Sequence, residues 1–113
     1  MIAASEIDRY QRDGVVCLRQ PFDTTWIECL KAATERSLQA GGMEMSKDGD
    51  RGRFHSNLFM WHTDPDFRAF AFDSPAAGIA RTLTRSTAVR FYFDHLFVKE
   101  PEWCPRNRGP VHR

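Results

Sequence analysis

Apolar residues recur at helical spacing most clearly between positions 24 and 40. There Trp26, Ile27, Leu30, Ala33, Thr34, Ser37 and Leu38 fall on one side of a 3.6-residue period. Asp23 is placed to cap that helix and Gly41-Gly42 to stop it. Upstream, Ser5-Glu6-Ile7-Asp8 has the form of a capping box and predicts a short helix to about Asp13, closed by Gly14, with Ile7 and Tyr10 on its buried side. The VVCL run at 15–18 is β-branched, lies between Gly14 and Pro21, and predicts a short buried strand. Residues 43–53 are polar and contain glycine, which predicts a loop. Their DGDRG run lacks the alternating acidic positions and the closing glutamate of a calcium loop. Asp64-Pro65 and Ser74-Pro75 each set a capping residue before a proline, so two short helices are expected, over 65–72 and 75–84. The final regular element is AVRFYFDHLFVK, 88–99, a long strand by its aromatic and β-branched content. Phe91, Phe93, His95, Phe97 and Lys99 share one face, and Tyr92, Asp94, Leu96 and Val98 the other. Neither face is uniformly polar, which predicts a strand covered on both sides.

Composition narrows the class. At 113 residues, 42% hydrophobic and 27% charged, the chain suits one folded domain and not a disordered one. A net charge of +1 gives no reason to expect a nucleic-acid partner. The chain has no apolar run of membrane-spanning length and no signal-peptide pattern at its start, so a cytoplasmic protein with no membrane partner is expected. Nine Phe and three Trp predict a core built around large rings. The odd set Cys17, Cys29 and Cys104 contains no Cys-x-x-Cys, and Cys17 and Cys29, among apolar neighbours, are expected to be buried thiols.

One motif invites a metal reading. MWHTDP, 60–65, carries His62-x-Asp64, which is two ligands of the 2-His-1-carboxylate set of non-haem iron oxygenases. Asp64 before Pro65 also reads as a helix cap, with His62 in the preceding loop, and that reading makes the motif a decoy. A minimal metalloprotein would add His55 or His95 to the pair. His55 and His112 have no partner that the sequence assigns. His95 is either a functional histidine or one hydrogen-bonded among aromatic neighbours. Asp94 is expected to organise Arg90 or Arg85.

The succession of helix, VVCL strand, amphipathic helix, Trp61-x-x-Asp64-Pro65 helix, Ser74-Pro75-Ala76 helix and RFYFDHLFVKEP resembles the N-terminal part of the phytanoyl-CoA dioxygenase family over about 5–101. The 91–101 stretch is the most specific piece, and 10–23 adds weaker support. The resemblance implies an α+β fold: N-terminal helices and the first strands of a double-stranded β-helix (jelly-roll), here an incomplete barrel. It also implies Fe(II) and 2-oxoglutarate as cofactors, with hydroxylation of a small organic or acyl substrate. His95 and Lys99 then lie on the 2-oxoglutarate side of the strand. In that family the iron-binding His-x-Asp follows the Lys-Glu-Pro strand, and a second His and an Arg come later. After Pro101 this chain departs from the pattern, and none of these follows.

The expected organisation is therefore a dioxygenase-like segment at 1–101 and a divergent, disordered tail at 102–113, as a truncation or a shifted reading frame would leave. Such a chain is expected to bind no iron by itself and to be inactive. The competing reading is a non-catalytic module that associates with itself through the Phe-rich strand 88–99, whose edge would be exposed.

Overall fold

The structure is a computed structural model that describes residues 1–44 and 52–102. It contains α1 (Ala4–Asp13), α2 (Thr24–Ala40), β1 (Met43–Glu44), β2 (Phe54–Leu58), α3 (Met60–Thr63), α4 (Pro65–Asp73), α5 (Ala76–Thr84) and β3 (His95–Lys99). The strands form one antiparallel sheet in the order β1-β2-β3. The fold is α+β, with helices gathered against a small sheet.

Local chemistry sets most helix ends where the sequence places them. Asp23 accepts the Trp26 N–H at 3.0 Å, and Gly41 closes α2 by donating to the Ser37 carbonyl. Gly14 takes a left-handed conformation (φ 75°) and donates to the Tyr10 carbonyl at 2.8 Å, which ends α1. At the start of α1 the cap is Ala3 and not a residue of the Ser5 group. Glu6 reaches back to accept the Ala3 N–H at 2.9 Å, so only the glutamate half of the capping box forms. Asp64 accepts the N–H groups of Asp66 and Phe67 and so starts α4 at Pro65. Ser74 Oγ accepts the Ala76 N–H and donates to the Phe70 carbonyl, linking α4 to α5.

The strands depart further from expectation. Residues 15–18 form no strand: among the described residues no segment pairs with them, and Val15 is exposed. Within 43–53, Met43 and Glu44 form β1 against Ser56 and His55, so that part is not loop, and 45–51 lie outside the described residues. The expected strand 88–99 is hydrogen-bonded as β3 only from His95, because β2 is five residues long and its Leu58 pairs with His95. The tail 103–113, with Cys104 and His112, also lies outside the described residues.

Burial inverts the aromatic expectation. The largest fully buried side chains are His55 and Ser56, and the buried apolar residues are Ala33, Met60 and Leu83. Phe59, Phe72, Phe91, Tyr92, Phe93 and Phe97 are exposed. Trp26 and Phe22 pack on Phe70 between α2 and α4, with centroids 5.9 and 5.2 Å apart. Cys17 is exposed rather than buried, because it lies in the segment that forms no strand, and Cys29 is half-buried. Among the described residues no helix is long and apolar enough to cross a membrane.

Candidate functional site

β3 divides its side chains between two environments. Leu96 and Val98 are half-buried on the face that also carries His55 and Asn57, while His95, Phe97 and Lys99 lie on an exposed face. The His95, Phe97 and Lys99 side of β3 is thus exposed rather than covered, although Ser56 on the same face of β2 is buried. On the open face the His95 ring lies on Phe97 at 3.8 Å between centroids, and Phe97 meets Phe54 of β2 at 6.0 Å. His95 and Lys99, four residues apart, stand about 13 Å apart along the strand. Both emerge on the same side of a rigid three-stranded support, with an aromatic floor between them.

Asp94, one residue before β3, faces the other way. It accepts the Trp61 N–H at 3.1 Å through Oδ2, and its backbone carbonyl accepts the Phe59 N–H. It therefore fixes the start of α3 and does not organise Arg85 or Arg90. Arg85 instead reaches Asp8 of α1 at 2.7 Å. Phe59, held by Asp94, has a left-handed backbone (φ 56°), a strained conformation for an aromatic residue.

His62 and Asp64 are committed elsewhere. Asp64 caps α4 and accepts two hydrogen bonds from Arg36, at 3.1 and 3.2 Å, and Arg36 also pairs with Asp66. Burial works to raise the Asp64 pKa. The Arg36 hydrogen bond, the two backbone amides and the Arg36 charge outweigh it and hold the carboxyl below the usual range. The His62 ring lies against Trp61, at 4.1 Å, and Phe59. Among the described residues no three His, Cys, Asp or Glu side chains are grouped to hold a metal ion.

One constellation escaped the sequence. His55 of β2 is fully buried, with Nε2 2.9 Å from Ser37 Oγ on α2 and Nδ1 2.5 Å from Glu44 Oε1 on β1. An ionised carboxylate only accepts, so Nδ1–H donates to Glu44, while Nε2 and the Ser37 hydroxyl share a hydrogen bond. Asn57 also donates to Ser37 Oγ, at 3.4 Å. Gly42 makes room for the group: a Cβ there would stand 2.8 Å from His55 Cε1 and 2.7 Å from the Ser56 carbonyl oxygen. The Ser–His–Glu order is that of a nucleophile relay. With Ser37 4% and His55 0% exposed, however, no substrate reaches the hydroxyl. The group fastens the β1–β2 pair to α2. The only sequence trace of it is the double glycine between helix and strand.

A cavity of about 650 Å³ lies between α2, α4, α5 and the extended segment before β3. Phe67, Phe70, Phe72 and Phe91 line it, with Ala76 and Ala77 on the α5 side, and Arg90, Asp94 and His95 add polar groups.

Comparison with known proteins adds one likeness. The chain is 34% identical over 85 residues to ectoine dioxygenase of Stutzerimonas stutzeri (strain A1501), a match that covers 71% of this chain. The likeness is to part of a dioxygenase. The chain spans 28% of that relative. No family model and no solved structure matches.

Proposed function

We propose that this chain supplies the N-terminal helices and first strands of an Fe(II)- and 2-oxoglutarate-dependent oxygenase, related to the phytanoyl-CoA dioxygenase family, that hydroxylates a small organic or acyl substrate. The observation that carries the reading is the open face of β3, where His95 and Lys99 stand on one side of a sheet backed by helices.

The residues fit one of the two implied groups. Lys99 offers an ammonium and His95 a ring N–H to a dicarboxylate, and Phe97 supports the His95 ring between them. In this reading Lys99 pairs with a carboxylate of 2-oxoglutarate and His95 orients it by a hydrogen bond. The described residues do not fit iron. Asp64 is occupied by Arg36 and by the α4 cap, and His62 packs between rings. On this account iron is held by residues other than 1–44 and 52–102, and these residues do not catalyse hydroxylation by themselves.

Calorimetric titration tests the reading. 2-Oxoglutarate should bind the purified chain and lose about tenfold in affinity in Lys99→Ala, the scale of a charge-assisted hydrogen bond. Equal binding by both proteins counts against it.

A second reading has its own observation. β3 is an outer strand of the sheet and lies beside exposed Phe91, Tyr92, Phe93 and Phe97. Such an edge favours pairing with a second copy, so self-association through 88–99 follows if 2-oxoglutarate does not bind.

A further inference from the structure

We infer that the cavity between α2, α4, α5 and the segment before β3 is a binding site for a planar aromatic carboxylate, adjoining the open face of β3 at His95. Its volume of about 650 Å³ is within the range of small-molecule sites, roughly 300–1,000 Å³. The lining is selective in kind. Phe67, Phe70, Phe72 and Phe91 present ring edges and faces, and Phe72 and Phe91 already meet at 5.3 Å and 60°. A flat aromatic guest fits such walls by edge-to-face contact, which a flexible alkyl chain does not make. Ala76, Ala77 and Ala80 leave the α5 side low, so the space is a slot and not a filled core.

Charge selects the head group. Arg90 lines the cavity and is exposed, and no hydrogen bond or ion pair holds it among the described residues. The other charged group there, Asp94, has one carboxylate oxygen on the Trp61 amide and the other buried, so Arg90 is the more exposed charge of the lining. His95 is the remaining titratable group of the lining and adds a donor. An unpaired guanidinium beside an aromatic slot recognises a carboxylate, through two parallel N–H···O bonds. The inference uses neither Lys99 nor iron, and it shares His95 alone with the oxygenase reading.

Titration of the full chain with 2-naphthoate tests it, with 2-naphthylmethanol and 2-naphthylmethylamine as head-group comparisons and decanoate for shape. The expected result is saturable one-to-one binding of 2-naphthoate, about tenfold tighter than the alcohol. Arg90→Met should abolish that preference, and decanoate should bind less well. Ala77→Phe, which fills the slot, should remove binding while the circular dichroism spectrum is retained. If Ala77→Phe unfolds the chain, Arg90→Met still decides, since its side chain lies at the surface. Tighter binding of the amine would make Asp94 the recognising group and overturn the inference. An undiminished preference for the carboxylate in Arg90→Met would overturn it as well, and so would no saturable binding of 2-naphthoate.

Discussion

Ser37 Oγ on α2 lies 2.9 Å from His55 Nε2 on β2, and both residues are buried. Eighteen residues apart in sequence, they join the longest helix to the sheet through a polar contact where an apolar one would be expected. Removing either partner leaves the other buried without its hydrogen bond, which costs about 1–3 kcal/mol. Ser37→Ala and His55→Ala should each lower the urea midpoint accordingly, with His55→Ala the larger because it also empties the space of a fully buried ring. The double variant should be less destabilised than the sum of the two, because the contact is shared.

Gly42→Ala addresses the same packing from the other side. The added Cβ would stand 2.7 Å from a backbone carbonyl that cannot swing away. A loss of about 1–3 kcal/mol is expected by chemical denaturation. Gly78→Ala, where a Cβ meets nothing within 4 Å, should be neutral or stabilising by a few tenths of a kcal/mol to about 1.

Asp64 makes stability depend on pH. Its folded pKa is lowered from the ordinary 3.8, so its contribution is present in full above that value and is lost as pH falls through the folded pKa. Stability should therefore decline below about pH 4, and Asp64→Asn should flatten that part of the profile. At neutral pH, Asp64→Ala should cost about 1 kcal/mol for the cap, with less from Arg36, which is half exposed.

The two described cysteines should differ in reactivity. Burial, and then the Asp66 hydrogen bond, push the Cys29 thiol up, whereas Cys17 is exposed. Alkylation at pH 7.5, followed by peptide mass mapping, should label Cys17 first. Equal rates would mean that α2 opens readily near Cys29.

Helix signals in the sequence were local and therefore legible. Asp23, Gly41, Gly14 and the Asp64-Pro65 pair act on backbone groups within four residues, so each sets a boundary without help from the rest of the chain. Strand signals were not local. The 15–18 run has β-branched side chains but no ladder partner, and propensity alone does not make a strand. β2 hides in Phe54-His55-Ser56-Asn57-Leu58, because its inward His55 and Asn57 are satisfied by Ser37 and Glu44, which no apolar pattern reveals. The alternation of β3 correctly put His95, Phe97 and Lys99 on one face. That this face is open depends on where α2 packs, and so did the burial of His55. Arg85 shows the same limit: its partner, Asp8, is 77 residues away.

The open face of β3, and not its helix-facing side, is the proposed seat of the co-substrate. Mapping of 2-oxoglutarate onto the chain by NMR chemical-shift perturbation tests it most directly. Saturable shifts are expected at His95, Phe97 and Lys99, with His55 and Asn57 on the opposite face unmoved. Shifts centred on His55 and Asn57, or none at His95 and Lys99 at millimolar ligand, would contradict it.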